Sequence, residues 1–552
     1  MSSTSAIPSE TIHDPAFPVL DARELASASA CGRTEKVAAG TALFVTGDLP
    51  LDCFVVVSGA LGVFDRSGAF ERQLSTHGPG GFTGEIGLLA GRPALADGRA
   101  LVDCEIIRLD ADQLRRLLVV DPAIGEKWIP ALLRRRVLML ERGHEGLHVF
   151  GACDDPATLR ACEFLFRNGV PHLWRDLDEA NAREELARLH PAGAPELPFI
   201  SMGDTPLLAA PSLEALGRMT GVLRPLPTGR FDVVIIGAGP SGLGAAVYAA
   251  SEGLRALVVD PLGPGGQAGS SSRIENYAGF PEGISGRDLA LRSYLQALKF
   301  GASFAVPHAV AAVRPGRDGT HEVVLADGSL IATRAVIVAT GVSYRFLPVP
   351  GLAEFAGAGV YYAATQMEAL RCRDKPVHVI GAGNSAGQAA MFLSRFTDRV
   401  NLVVRGDNIY ASMSDYLADR VVANPRIQLR LRHEVRAVGG GHALESVTLE
   451  DTARGEIREE PSGGVFVFIG AVPATKFLGP EVARDAAGFL LTGVDLPAGT
   501  WPLAGHAPLP LETSVPGILA AGDCRAASTK RVAFAVGDGA LAVTCLHDLF
   551  GT

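Results

Sequence analysis

Two short segments carry glycines spaced to receive a pyrophosphate. The first runs Val233-Val234-Ile235-Ile236-Gly237-Ala238-Gly239-Pro240-Ser241-Gly242, and the second Val377-His378-Val379-Ile380-Gly381-Ala382-Gly383-Asn384-Ser385-Ala386. Each is an apolar run that turns on glycine into a small-residue helix. That geometry sets a phosphate on helix N-terminal amides, where a side chain would collide with it. One such motif is a weak signal, but two behind buried-strand patterns predict two dinucleotides, with electrons moving between them. After the first, Val258-Val259 ends in Asp260, an acid 23 positions beyond Gly237 that suits an adenosine ribose. After the second, the strand Val400–Val404 ends in Arg405 rather than an acid, which favours NADPH over NADH.

Three other patterns have the right residue types for chemistry. Gly383-Asn384-Ser385-Ala386-Gly387 matches the nucleophile elbow of hydrolases, and the paired glycine turns decide against that reading. His144-Glu145-Gly146-Leu147-His148 satisfies the zinc-protease expression, which needs both histidines on one helix face. Gly143 and Gly146 each disfavour helix by about 1 kcal/mol, so this stretch reads as a linker and no metal site is expected. The eight cysteines (Cys31, Cys53, Cys104, Cys153, Cys162, Cys372, Cys524 and Cys545) include no Cys-x-x-Cys. They read as mostly reduced, structural thiols of a cytoplasmic protein.

At 552 residues the chain is too long for one core, and three or more domains are expected. The net charge of −10 is spread without a basic block, which argues against a nucleic-acid partner. Met1–Glu10 has neither a basic nor an apolar leader region. Val233–Ser251 is uncharged and long enough to be mistaken for a membrane span. Its four glycines and proline fit a strand-turn-helix better, so no membrane segment is expected.

Residues 1–15 read as a tail, followed at 16–142 by short strands and glycine turns that suggest a jelly-roll barrel, then a helical stretch from Asp112 to Arg142. Gly78-Pro79-Gly80-Gly81-Phe82-Thr83-Gly84-Glu85-Ile86-Gly87-Leu88-Leu89 resembles the phosphate-binding cassette of cyclic nucleotide-binding domains. The resemblance implies a ligand contact at Gly84 and a ribose contact at Glu85. The family's phosphate-binding arginine falls on Ala94 or Leu95, with Arg92 and Arg99 out of register. Losing one partner of a buried charge-assisted pair costs about 2–5 kcal/mol, which predicts a degenerate regulatory or packing module.

Residues 147–225 read as strand, helix, strand and a further strand at Pro198-Phe199-Ile200, an order that resembles the glutaredoxin/thioredoxin fold. Where that family has its redox pair, this chain has Cys153-Asp154-Asp155-Pro156, which lacks the second cysteine. The expectation is a docking module in which Cys162 is a core residue and Pro198 occupies the place of a cis proline. No recognition helix follows the barrel, so a transcription factor is not expected.

Residues 229–552 resemble the low-molecular-weight thioredoxin reductases along nearly their whole length. The matching segments are Gly265-Gly266-Gln267, Ile274-Glu275-Asn276-Tyr277-Ala278-Gly279-Phe280, Ala339-Thr340-Gly341, Gly517–Asp523 and Lys530-Arg531-Val532-Ala533. The resemblance implies a two-dinucleotide-binding α/β (Rossmann-like) flavoprotein. Its FAD domain is split into 229–350 and 471–552, with an NAD(P)H domain at 351–470 between the halves. It implies FAD contacts at Gly237, Gly239, Pro240, Ser241, Gly242, Asp260, Gly266, Gln267, Asn276, Thr340, Gly341, Gly522, Asp523, Val532 and Ala533. NAD(P)H contacts are implied at Gly381, Gly383, Asn384, Ser385, Ala386 and Arg405, and a homodimer as the assembly.

Thioredoxin reductases carry Cys-Ala-Thr-Cys shortly before the second fingerprint. Ala363 and Gln366 stand at those two cysteine positions, with Cys372 the nearest thiol. Disulfide reduction needs one attacking and one resolving thiol. The expected function is therefore hydride transfer from NAD(P)H to FAD, then electron delivery to an external acceptor without an internal disulfide. Two rivals remain: disulfide reduction through Cys153, Cys372 or a partner's thiols, and a non-catalytic redox sensor.

Overall fold

The computed structural model describes residues 14–551 apart from 67–70, 85, 142–146, 153–154, 191–195, 203–207, 272, 317–318, 345–346, 353, 356–357, 363, 365 and 442. In the N-terminal region, alternating apolar positions and glycine turns produce two antiparallel sheets. One runs Arg33–Val37, Cys104–Leu109, Cys53–Ser58; the other runs Ala42–Phe44, Asp97–Ala100, Leu61–Asp65, Arg72–His77. Gly47 and Gly59 turn the chain at φ +93° and +90°, where a side chain is strained. The helical stretch expected as one piece is two helices, Ala111–Val120 and Pro122–Glu141. The break falls at Asp121 because the residue before a proline avoids helical torsions. Asp121 there accepts from Ser27 Oγ at 2.9 Å. Inside, Phe82 stacks on Trp128 with ring centroids 4.2 Å apart. This core continues into Leu243, Tyr294, Leu295 and Leu298 of the C-terminal region, so the barrel shares a hydrophobic core with it.

Residues 147–225 form a four-stranded sheet in the order Leu208–Ala209, Phe199–Met202, Leu147–Gly151, Leu173–Asp176. The last two strands pair in parallel and the others antiparallel. Helices Pro156–Arg167, Ala180–Leu189 and Leu213–Met219 complete the module, and the Leu197–Pro198 bond is cis. Asn168 Nδ2 donates to Leu262 O at 2.8 Å, which ties the module to the loop after Asp260.

The rest of the chain folds as two units built on sheets with parallel cores, one inserted in the other. The first sheet joins Ser303–Ala305, Ala256–Val259, Phe231–Ile236 and Leu330–Val338, with Ile518–Ala520 paired to the last in parallel. It also carries Val310–Arg314 and His321–Leu325, paired antiparallel at the edge beyond Leu330–Val338. The second runs Val360–Tyr361, Gly464–Val467, Val377–Ile380, Val400–Val404, Ile427–Leu431, all parallel. Continuous apolar runs suit strands buried on both faces. Val233–Ser251 is the end of one strand plus the helix Pro240–Ser251. The helix Val532–Phe550 is long and apolar enough to cross a membrane, and here it lies against Pro240–Ser251. A methyl at Gly539 would overlap the Ser241 carbonyl, so glycine sets how closely the two helices approach.

Candidate functional site

Four segments singled out from the sequence meet at the carboxyl edge of the first sheet. Gly237 follows the strand Phe231–Ile236, Asp260 follows Ala256–Val259, Thr340-Gly341 follow Leu330–Val338, and Gly522-Asp523 follow Ile518–Ala520. Ligands of open α/β sheets bind outside this edge. The helix Pro240–Ser251 starts there with Gly239 at its N-cap and no side-chain cap, leaving its first amides for a ligand. A Cβ on Gly237 would sit 2.5 Å from Ala339 O, and one on Gly242 would overlap Gly237 O. A Cβ on Gly239 would find nothing nearer than Gly266 Cα at 3.7 Å. The first two glycines are needed by the fold, whereas Gly239 faces open space.

The donor set around this edge fits a dinucleotide. Ser241 Oγ and Thr340 Oγ1 are buried without a partner, an arrangement that costs free energy until a ligand supplies one. Gly265 N donates to Ala238 O at 2.8 Å, which packs the Gly265-Gly266 loop onto the fingerprint turn. Gln267 Nε2 donates to Val342 O. Asn276 is exposed in the loop beyond. Val532 and Ala533 open the helix Val532–Phe550, so their amides are free of intrahelical bonds. Asp538 accepts from Gly522 N at 3.0 Å and pairs with Arg525 at 3.2 Å, fixing the last strand turn. Burial raises the Asp523 carboxyl above its usual range. Asp260, expected beside a ribose, has both oxygens engaged: Oδ2 by Ala238 N at 2.8 Å, Oδ1 by Leu262 N at 2.8 Å and Gly263 N at 2.7 Å. It braces the turn, and a carboxylate retains acceptor capacity beyond these three bonds.

The second fingerprint repeats the plan. Gly381 at φ +140° follows the strand Val377–Ile380, and the helix Asn384–Leu393 is N-capped by Gly383. A Cβ on Gly383 would meet only Ser412 O at 3.9 Å. Asn384 Oδ1 accepts from Ser414 N at 2.8 Å, Ala386 is buried, and Ser385 faces a pocket between the two units. Arg405 is exposed at its strand end. The pocket also takes in Gln267, Ser270, Ala364, Arg395 and Arg420. Across it Arg420 Nη1 meets Glu275 Oε2 at 2.6 Å and holds that carboxyl below its usual range. Sequence reasoning missed this pair, because no local spacing links residues 145 positions apart.

The thiols and rival motifs resolve differently. Cys372 is buried, donates to Gly463 O at 3.3 Å, and burial pushes its thiol up to about 12. Burial does the same to Cys162, to about 12, and to Cys524, to about 11. Ala363 and Cys153 lie outside the described residues, and Gln366 opens the helix Gln366–Arg371. Among the described residues no hydrogen bond joins Ser385 to a histidine, and the strand histidine His378 is bonded to Ser462 Oγ at 2.9 Å. His148 lies in a strand against Glu185, and His144 and Glu145 fall outside the described residues; among those described there is no metal-ligating cluster. In the barrel, Gly84, Ala94 and Leu95 line an internal cavity, while Arg99 is paired with Glu71 at 2.5 Å. Glu85 lies outside the described residues.

Comparison with known proteins adds to this geometry. A family model described as pyridine nucleotide-disulphide oxidoreductase matches residues 231–539, and a cyclic nucleotide-binding domain model matches residues 34–121. The chain is 38% identical over 312 residues to a thioredoxin reductase of Treponema pallidum, covering 56% of this chain and 94% of that protein. It is 34% identical over 313 residues to one of Bacillus subtilis, covering 56% and 92%. Among solved structures, the Lactococcus lactis thioredoxin reductase (FR conformation) aligns with TM-score 0.52 and 29% identity over 58% of this chain and 98% of that one. The T. acidophilum thioredoxin reductase aligns with TM-score 0.53 and 28% identity over 58% and 99%.

Proposed function

The chain belongs to the pyridine nucleotide-disulphide oxidoreductase family as a thioredoxin reductase-like FAD/NAD(P)H oxidoreductase with an N-terminal cyclic nucleotide-binding domain, and we propose that it reduces an external acceptor with no redox disulfide of its own. The observation that carries this reading is the composition of one segment, with Ala364 placed at the interdomain pocket. Ala363 to Gln366 holds no sulfur, Ala364 lines the pocket, and the nearest thiol, Cys372, is buried and protonated.

A flavin held at the first edge would supply the hydride-accepting and electron-passing chemistry. The protein's part is to place and shield. Amides at the start of Pro240–Ser251 hold the pyrophosphate, with Gly239 leaving it room. Ser241 and Thr340 would donate their unpartnered hydroxyls, Asp523 would bind the ribityl hydroxyls, and the free amides of Val532 and Ala533 would donate to the flavin. The second cradle takes NADPH in preference to NADH, with the exposed Arg405 offering a guanidinium to a ribose phosphate. The order of strands and helices in residues 147–225 supports reading that region as a thioredoxin-like docking module. A homodimer is also inferred, in keeping with exposed Tyr248, Phe534 and Leu541, and light scattering should give twice 57.6 kDa. Anaerobic stopped-flow mixing with NADPH and then NADH tests the reading. Rapid bleaching of the flavin band with NADPH, slower with NADH, is expected; an unbleached flavin with both would refute it.

A further inference from the structure

The barrel encloses a cavity that electron transfer does not use. It is partly open to solvent, and its empty volume of about 740 Å³ includes the open space it leads into. Its walls are mainly apolar, with Phe44, Leu51, Leu74 and Leu95 among them. Set into those walls is Arg135, only 7% exposed. Its Nε donates to Ala16 O at 2.7 Å and its Nη1 to Gly84 O at 2.9 Å, while Nη2 is buried with no partner. The guanidinium lies 4.4 Å from the Phe82 ring centroid and 5.4 Å from that of Phe17. Among the described residues it has no carboxylate partner. Asp52, also on the wall, is engaged by Arg108 at 3.1 Å. His77, bonded to Ser75 Oγ at 3.0 Å, is kept neutral by burial and by Arg135 itself.

A buried cation needs a counter-ion, and its remaining N–H groups suit a two-oxygen acceptor. A sugar phosphate would need a polar lining, whereas Ala94 and Leu95 make the cassette side of this cavity apolar. We propose that the barrel binds an organic monoanion, a carboxylate on an aliphatic or aryl body, held by Arg135 with its body against Phe44, Leu51 and Leu95. Arg135 also holds the Gly84 carbonyl, next to the segment leading into the helix Ile86–Leu89. Leu88 and Leu89 of that helix share a core with Tyr294 and Leu295 of the FAD domain, so the site adjoins the flavoprotein directly.

The test is calorimetric titration of the full-length, FAD-loaded protein with octanoate, decanoate and phenylacetate. Decanol serves as the uncharged match and 3′,5′-cyclic AMP as the rival. At least one carboxylate should bind saturably and decanol far more weakly. Arg135→Met should weaken carboxylate binding about 30-fold or more, the loss expected when a buried charge is unpaired. Because Arg135 also holds two carbonyls, Ala94→Leu serves as a second variant that keeps the arginine and fills the cavity. It should stay folded and lose binding. The proposal is overturned if none of the three carboxylates saturates, if decanol binds as well as decanoate, if Ala94→Leu binds undiminished, or if cyclic AMP binds and the carboxylates do not compete.

Discussion

Replacing Gly239 by alanine places one methyl group where the structure has room for it only while the cofactor is absent. Gly239 sits at φ −74°, ψ −175°, torsions any residue adopts, and its added Cβ would be 3.7 Å from the nearest atom. The apoprotein should therefore fold with unchanged stability. The same methyl points at the space a pyrophosphate must occupy. Overpacking of that size costs about 1–3 kcal/mol, which is a ~5- to 150-fold loss of FAD affinity. Reconstitution of apoprotein followed by flavin fluorescence measures the affinity, and a thermal melt of the apoprotein measures the fold. Gly242→Ala is the contrast, because its methyl would overlap Gly237 O and should disrupt the turn itself. Gly383→Ala extends the logic: at φ −85° with only Ser412 O within 4 Å, it should keep FAD and bind NADPH ~5- to 150-fold more weakly. Full FAD affinity in Gly239→Ala, or an apoprotein as damaged as that of Gly242→Ala, would refute the reasoning.

Three further outcomes follow from the same geometry. Cys372→Ser should leave acceptor turnover undiminished in steady-state assays and cost about 1–2 kcal/mol in a denaturant titration, because a polar hydroxyl replaces a buried thiol. Arg405→Ala should raise the NADPH dissociation constant about 10-fold, the loss of one charged hydrogen bond worth ~1.5 kcal/mol, and leave NADH binding unchanged in equilibrium titrations. His77, at about 3 when folded against 6.5 when free, stabilises the barrel fully above pH 6.5 and loses that contribution as pH falls towards 3. A melting-temperature profile for His77→Asn should therefore be flatter than the wild type across that window.

Much of the C-terminal chemistry was legible because it is local. A glycine that must take φ +106° or +140°, or lie against a neighbouring carbonyl, is fixed by its own few residues, so Gly237 and Gly381 announce their turns. The interruption of the long barrel helix at Asp121 was equally local, since Pro122 was in plain view, yet the apolar period on either side masked it. What the sequence hid is assembled over distance. Asp260 was expected beside a ribose, and only the fold shows the three backbone amides that also converge on it. Glu275 and Arg420 have no shared motif and meet across the interdomain pocket. Arg135 reads as one basic residue among several on an amphipathic helix, and its burial in the barrel depends on strands more than fifty residues upstream.

The central claim is that this flavoprotein stores electrons on its flavin alone, and an anaerobic reductive titration of the purified holoprotein tests it most directly. Dithionite, then NADPH, should bleach the flavin completely after two electrons per FAD, with no lag and no new thiol titre. Uptake of four electrons per FAD, with two additional titratable thiols, would show a redox disulfide in the chain and contradict the account.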